Sequence, residues 1–277
     1  MPFFDLTRPR VYAHRGGSAL GPENTLAAFD LGLAAGADGL ELDVHLSSDG
    51  VPVVIHDATL DRTTDATGPV RTRSADELAR VDAGCRFEDQ QQLSRFAGSG
   101  IGVPTLAQVL RRYPAVPIIV EIKVDTEDGG VRVAEVVRAA DAQDRVCLAG
   151  SGSRSARGAR SIPQAAASAC LGEVRWALYR SWAGWPVRST TYGGYQVPEH
   201  AGRLRVASPR FIRHAHWAGL AVEVWTVDDA SDMVRLLGWG ADGLITNRPD
   251  VAVSVRDRFL VARREAPGVA GLPLSGA

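Results

Sequence analysis

Short apolar runs alternate with segments of helical period through most of the 277-residue chain. This alternation predicts an α/β fold in which parallel strands are connected by helices. The repeats number eight, which predicts a closed (β/α)8 TIM barrel, a fold that commonly takes about 250 residues as one domain. The predicted strands are residues 10–13, 39–45, 117–123, 146–149, 165–169, 192–197, 221–227 and 243–246.

Helix-period segments lie between these strands, as a barrel requires. The first of them, residues 25–35, follows the turn Gly21-Pro22-Glu23-Asn24. The other clear examples are residues 131–141, 209–218 and 230–238. We therefore expect each of these segments to pack on the outside of the sheet.

The regular spacing is interrupted between residues 57 and 104, where glycine, serine and threonine surround one short predicted helix, 74–81. Connections that follow strand ends build the active-site face of this architecture. We therefore predict that residues 58–103 form a small inserted subdomain or lid after the second strand region. Residues 1–57 and 104–277 then form the barrel, with a disordered tail predicted at 264–277.

The composition limits the possible partners. The net charge is −1 and the pI is near 6.6, so the chain lacks the global positive field of nucleic-acid-binding domains. There is no apolar run that could span a bilayer and no signal-like start. Three widely spaced cysteines predict buried thiols in a reducing compartment. We expect a cytoplasmic protein with a small-molecule partner and no stable membrane anchor; the oligomeric state is not indicated.

Acidic side chains interrupt the second predicted strand, where hydrophobic core should continue. Glu41, Asp43 and His45 alternate with apolar residues, so they project from the same face. Two carboxylates held side by side in an apolar segment repel each other and lose hydration. A bound divalent cation is the simplest compensation.

The third predicted strand repeats this arrangement with Glu121 and Lys123 after a β-branched run. Together with Glu41 and Asp43, this places three carboxylates at one end of the barrel. Three oxygen ligands suit Mg²⁺ or Ca²⁺ better than zinc, and the sequence does not distinguish between the two ions. The alternative is a salt-bridge network of Glu121, Lys123 and Arg15 without metal.

His14 and Arg15 end the first predicted strand and are followed by two glycines. An arginine offers a fixed fork of donors for phosphate, and glycine lets the backbone approach an anion closely. The alternative is a helix-capping loop with an incidental histidine. His56 ends the neighbouring segment, and two histidines near neutral pKa form a candidate acid/base pair. His45 stays between a functional and a structural role.

The tryptophans give weaker evidence for a functional role. Trp225 ends the seventh predicted strand, where it is a candidate apolar wall for a substrate or a plain core residue. A second aromatic group has helix-like spacing and most simply covers the barrel exterior, with a lipid-facing groove as the alternative. Its members are Trp176, Tyr179, Trp182 and Trp185.

Motifs along nearly the whole chain, from about residue 11 to 250, resemble the glycerophosphodiester phosphodiesterase family. Their order, and their spacing around the interrupted stretch after His56, carry the resemblance. Asn247 stands where an aspartate is also common in the family. The matching segments are His14-Arg15-Gly16, Pro22-Glu23-Asn24-Thr25, Glu41-Leu42-Asp43, His56-Asp57, Glu121-Ile122-Lys123, Trp225-Thr226-Val227 and Asp242-Gly243 with Thr246-Asn247-Arg248-Pro249.

The resemblance implies a (β/α)8 barrel with a small insertion and a metal-dependent reaction in glycerol and lipid metabolism. In that reaction a glycerophosphodiester is cleaved to glycerol 3-phosphate and an alcohol. One histidine activates the attacking hydroxyl and the other protonates the departing alkoxide. The implied roles are metal binding for Glu41, Asp43 and Glu121, phosphate contacts for Arg15 and Lys123, and general acid/base catalysis for His14 and His56.

Two other functions compete with this one. A lysophospholipase D or sphingomyelinase D would share the histidines and the acidic ligands, and it would need a broad apolar groove beside Trp182 and Trp185. A non-catalytic polyol-phosphate binding barrel would be expected to lack a histidine or a metal ligand, yet the sequence retains all of them.

Overall fold

The structure is a computed structural model that describes residues 2–4, 6–89, 93–161, 165–187 and 190–265. These residues form eleven strands. They are β1 (Arg10–His14), β2 (Gly39–Leu46), β3 (Pro52–Val54), β4 (Ile118–Ile122), β5 (Val146–Gly150), β6 (Ala166–Ala167), β7 (Gly194–Pro198), β8 (His200–Ala201), β9 (Leu204–Arg205), β10 (Ala221–Trp225) and β11 (Gly243–Thr246).

Eight of these strands run parallel in the order β1, β2, β4, β5, β6, β7, β10 and β11, and β11 returns to pair with β1. The strand pairing between β6 and β7 is the weakest of the barrel. These two strands are joined by a bridge between Ser168 and Gly194 and by the N–H of Ala169, which donates to Gly194 O at 3.0 Å. The predicted (β/α)8 barrel is confirmed, and its eight strand ends meet at one mouth.

The described residues also form nine α-helices, most of which connect the strands on the outside of the barrel. They are α1 (Leu26–Ala34), α2 (Ala75–Leu78), α3 (Leu106–Arg112), α4 (Glu127–Ala139), α5 (Ser153–Ala159), α6 (Leu171–Ala183), α7 (Pro209–Trp217), α8 (Ala230–Trp239) and α9 (Pro249–Glu265).

Helix α4 and strand β6 are two of the elements whose boundaries differ from the sequence prediction. Helix α4 begins at Glu127 instead of residue 131, because the Thr126 side chain accepts the N–H of Gly129 and caps the helix early. Strand β6 is shorter than residues 165–169. Ser168 and Ala169 still donate to neighbouring strands, but they lie outside the regular ladder.

The core has an inner and an outer layer. Inside the barrel, Tyr12 packs with Ile119 and Ile245, and Phe3 stacks on Tyr12 with ring centroids 6.1 Å apart. The carbonyl of Phe3 accepts a hydrogen bond from Arg10 at the start of β1, so Phe3 fills the barrel at the strands' N-terminal ends. The outer layer lies between the strands and the helices. This packing leaves the opposite end of the barrel free to form a cavity.

In the described part of residues 58–103, Leu60, Val70 and Leu78 form a small core together with Val53 and Ile55 of the second strand region. Strand β3 leads into this segment and pairs antiparallel with β2. Helix α2 begins with a capping box in which Ser74 and Glu77 satisfy each other's backbone N–H groups. The segment is thus attached beside the mouth of the barrel.

The end of the chain and one cysteine differ from expectation. Helix α9 continues through Arg264 and Glu265, which the sequence placed in a disordered tail, and residues 266–277 lie outside the described residues. Cys147 and Cys170 are buried as predicted, whereas Cys85 is partly exposed. Among the described residues, none of the helices combines the length and the apolar character needed to cross a membrane.

Candidate active site

A cavity of about 330 Å³ opens at the carboxyl ends of the barrel strands. Its size lies within the range of small-molecule sites. Charged and imidazole groups line it, together with the Trp225 side chain, which is 42% exposed. The charged and imidazole groups are His14, Arg15, Glu41, His56, Glu121 and Lys123.

Three carboxylates meet at this mouth. Glu41, Asp43 and Glu121 each offer an oxygen, and these oxygens lie within 4.8 Å of one another. Glu41 and Asp43 share a face of β2 because they are two residues apart, and Asp43 pairs in register with Glu121 of β4. Strand alternation therefore produces the predicted acidic cluster.

Two cations compensate part of this charge. Lys123 Nζ lies 3.0 Å from Asp43 Oδ1 and 2.9 Å from Glu121 Oε2, and Arg15 Nε lies 3.2 Å from Asp43 Oδ2. Asn24 adds a hydrogen bond from Nδ2 to Asp43 at 2.9 Å. Burial alone would raise the pKa of Asp43, but the two cations outweigh burial and lower it.

Glu41 is the carboxylate that this network leaves uncompensated. Its buried side chain accepts the backbone N–H of Arg15 at 3.1 Å, and the nearest basic side-chain atom is His14 Nε2 at 3.8 Å. Burial, followed by the negative charges of Asp43 and Glu121, raises the pKa of Glu41 well above its usual range. A metal-free salt-bridge network thus accounts for two of the three carboxylates and not for the third. The donor set fits a hard divalent cation.

His14 is held in one tautomer by a chain of hydrogen bonds. Asn247 Nδ2 and N–H both donate to Asp228, whose carboxylate can only accept, so Asn247 Oδ1 must face His14 Nδ1 at 2.7 Å. Nδ1 therefore carries the hydrogen and the lone pair of Nε2 faces the cavity. Burial is the largest influence on the imidazole and lowers the pKa of His14, which favours the neutral ring.

His56 is held by a carboxylate instead. Its Nδ1 donates to Asp57 Oδ1 at 2.6 Å, which directs Nε2 towards the cavity. Arg62 Nε donates to Asp57 at 2.7 Å, and Arg62 Nη1 donates to Glu23 at 2.7 Å. The Arg62 hydrogen bond is the largest influence on Asp57 and lowers its pKa, so this carboxylate stays ionised and accepts the Nδ1 hydrogen of His56.

The structure brings eight predicted residues to one mouth. His45 is not among the cavity-lining residues: its Nε2 lies 3.0 Å from His56 O, where it supports the loop that carries the second histidine. Trp182 and Trp185, proposed for an apolar groove, do not line the cavity either. The eight are His14, Arg15, Glu41, Asp43, His56, Glu121, Lys123 and Trp225.

Several residues that support the site were not predicted from the sequence. Arg62 lies in the segment 58–103 and reaches Glu23, 39 positions away, and Asp228 acts on His14 through Asn247. No local pattern marks either residue. Glu223 did carry a signal, since it interrupts the apolar run of β10 in the same way that Glu41 interrupts β2.

Glu223 lies inside the barrel beneath the cavity. It is fully buried, and its Oε2 accepts a hydrogen bond at 2.8 Å from Gln196, which lines the cavity. Burial raises the pKa of Glu223 to about 7. The protein therefore keeps a neutral carboxylic acid in its interior at mildly acidic pH.

This raised pKa predicts a pH-dependent stability. A carboxyl whose pKa rises on folding stabilises the protein below its unfolded value, and this contribution is lost as the pH rises towards 7. Relative to Glu223→Gln, the wild type should lose on the order of 3 kcal/mol of unfolding free energy between about pH 4.5 and pH 7. Urea unfolding across this range measures the difference, and parallel curves for both proteins would contradict it.

The fold and the mouth together define a barrel enzyme that acts on a phosphate ester, because paired histidines, carboxylates and two cations converge on one cavity. A sequence model described as the glycerophosphoryl diester phosphodiesterase family matches residues 14–251, which include every residue of the mouth. The chain belongs to this family.

Relatives and solved structures agree with this assignment. A glycerophosphodiester phosphodiesterase of Caldanaerobacter subterraneus is 31% identical over 252 residues, covering 88% of this chain and 96% of that protein. A crystal structure of such an enzyme from Agrobacterium tumefaciens matches with a TM-score of 0.71 at 29% identity, covering 89% of this chain and 99% of that one. A phosphodiesterase of Oleispira antarctica, in complex with the product sn-glycerol-3-phosphate, matches with a TM-score of 0.73 at 25% identity, covering 90% and 97%.

Proposed function

We propose that this protein hydrolyses glycerophosphodiesters to glycerol 3-phosphate and an alcohol, with a divalent metal at the acidic cluster and two histidines as acid and base. The observation that carries this proposal is the meeting of Glu41, Asp43 and Glu121 within 4.8 Å in a cavity that His14 and His56 also line. Family membership and the product complex of the Oleispira relative support the choice of substrate.

The two cations of the mouth suit the phosphate. Arg15 and Lys123 both line the cavity, and their side chains are about one-sixth exposed. Each is already paired with a carboxylate, so its position is fixed before substrate arrives. Positive groups held in place where charge develops stabilise a phosphoryl transition state without reorganising during the reaction.

The environments of the histidines support different starting roles. His14 is neutral and presents the Nε2 lone pair to the cavity, so it accepts the proton of the attacking hydroxyl. His56, whose Nδ1 donates to the Asp57 carboxylate, takes the role of the acid that protonates the departing alkoxide through Nε2. A positioned acid or base contributes typically about 10²–10⁴-fold to a rate.

The metal would be held by Glu41, Asp43 and Glu121, and Mg²⁺ and Ca²⁺ remain the two candidates. When bound, it supplies Lewis-acid stabilisation of negative charge on the phosphoryl oxygens. The uncompensated carboxylate of Glu41 supports this site, because a cation there would balance the charge that Lys123 and Arg15 leave.

Residues 58–103 are assigned as an inserted subdomain that supports the mouth. Arg62 carries this assignment, since it joins Asp57 to Glu23 and so holds both the second histidine and the partner of Arg15. We also place the enzyme in the cytoplasm, because its three cysteines are unpaired thiols.

The charged cavity favours a water-soluble diester over a phospholipid with acyl chains. An assay of glycerol 3-phosphate release from a panel of glycerophosphodiesters tests this, with lysophospholipids of matched head groups in parallel. We expect release from the deacylated diesters and turnover at least about tenfold lower for the lysophospholipids. Faster cleavage of the lysophospholipids would instead favour a lysophospholipase D.

A further inference from the structure

The proposed hydrolysis does not account for a second surface of the molecule. Helix α6 and the loop after it expose five large apolar side chains, here called the α6 aromatic face. They are Leu171 (55% exposed), Trp176 (59%), Tyr179 (58%), Trp182 (43%) and Trp185 (62%). Contiguous exposed groups of this size mark interaction surfaces more often than single exposed residues do.

The aromatic face is ordered by its own contacts. Trp176 and Tyr179 meet edge to face with centroids 6.4 Å apart, and Tyr179 and Trp182 meet in the same way at 5.6 Å. Helix α7 fixes the far end, because Arg210 donates to Trp182 O at 2.5 Å and His214 Nε2 donates to Trp185 O at 2.6 Å. The rings are therefore presented to solvent in a fixed arrangement.

The face lies in the most basic part of the chain. Residues 151–220 contain ten arginines and two acidic residues, whereas the whole chain has a net charge of −1. The one acidic residue of α6, Glu173, is bound through both oxygens by Arg160 at 2.7 Å. Among the described residues, no carboxylate forms an ion pair with Arg175, Arg180 or Arg210. The face thus combines exposed rings with uncompensated positive charge.

We propose that the α6 aromatic face docks on an anionic phospholipid surface. Tryptophan and tyrosine are amphipathic side chains that settle at the level of lipid head groups, and nearby arginines are attracted to anionic lipids. A second copy of the chain is a poorer occupant, because pairing this face with its own copy would bring together two surfaces that both carry Arg175 and Arg180 without carboxylate partners among the described residues. The docking is peripheral and reversible.

One end of the α6 aromatic face lies at the active-site cavity. Leu171, the first residue of α6, both belongs to the face and lines the active-site cavity with Val174. Only the first turn of α6 lies at the mouth, because the helix leads away from the carboxyl end of β6 towards Trp182 and Trp185. The inference does not depend on which diester is hydrolysed, since binding is measured without substrate.

Co-sedimentation of the full chain with vesicles tests the proposal. We expect binding to phosphatidylcholine vesicles that contain about one-third phosphatidylglycerol, little binding to pure phosphatidylcholine, and release at about 0.5 M salt, where charges are screened within a few ångströms. The double variant Trp182→Ala/Trp185→Ala should lower the vesicle affinity at least about tenfold. Arg175→Gln/Arg180→Gln should weaken binding in proportion to the anionic lipid content.

The control is Val234→Ala/Val261→Ala, which alters two apolar side chains of 50% and 53% exposure on α8 and α9 and should bind like the wild type. Unchanged hydrolysis of a soluble diester shows that each variant is folded. The proposal is overturned if the wild type ignores anionic vesicles, or if the aromatic variant binds them equally well. It is also overturned if sedimentation velocity finds a dimer that the aromatic variant converts to monomer.

Discussion

Replacing either His14 or His56 with alanine is expected to lower kcat by about 10²–10⁴-fold. His14→Ala removes the Nε2 lone pair that faces the cavity, and His56→Ala removes the proton donor backed by Asp57. Both side chains lie at the mouth and not in the hydrophobic core, so stability should change little. Steady-state hydrolysis and thermal unfolding of each variant measure the two effects.

His200→Ala is the matched control, because His200 is 44% exposed on the β8–β9 hairpin and does not line the cavity. It should retain wild-type turnover. The double variant His14→Ala/His56→Ala should be no more than slightly worse than the poorer single variant if the two histidines act in one reaction. Near-normal turnover in either single variant contradicts the acid/base assignment.

Glu41→Gln should have opposite effects on activity and stability. The amide keeps the hydrogen bond from the Arg15 N–H but removes one charge from the acidic cluster, so metal-supported turnover should fall by several orders of magnitude. The metal-free variant should unfold a few degrees higher than the metal-free wild type, because the amide removes the unfavourable burial of an ionisable carboxyl beside Asp43 and Glu121. Differential scanning calorimetry with and without metal measures this.

Comparison with Glu121→Gln shows whether the gain in metal-free stability comes from Glu41 itself. Glu121 pairs with Lys123 at 2.9 Å and its side chain is 35% exposed, so its replacement should weaken metal binding without the gain in metal-free stability. If both variants gain the same stability, the unfavourable electrostatic energy is shared by the carboxylates of the cluster and is not concentrated at Glu41. If Glu41→Gln loses stability without metal, the account of Glu41 as the uncompensated carboxylate is wrong.

The barrel and the acidic cluster followed from local patterns. Most barrel strands are short and largely apolar, and strand alternation fixes the side of β2 from which Glu41 and Asp43 project. The parallel register then brings Glu121 beside Asp43, and this step needed no more than the expectation that consecutive barrel strands are neighbours.

The supporting residues could not be predicted in this way, because they act across the fold. Arg62 reaches Glu23 only after the segment 58–103 has packed beside the mouth, and Asp228 reaches Asn247 across the ends of β10 and β11. Neither contact leaves a periodic pattern in the chain. The roles of the two histidines depend on partners of this kind. The sequence therefore predicts that the two histidines act as a pair, but it does not predict which is the acid and which is the base.

Metal titration coupled to product release tests the central claim most directly. The chelator-treated protein is titrated with Mg²⁺, Ca²⁺ or Mn²⁺ in a calorimeter, and release of glycerol 3-phosphate is measured at each step. We predict that release is absent without metal and rises in proportion to the occupancy of one site per chain, a site that Glu41→Gln lacks. Full-rate release from protein that holds no metal would contradict the claim.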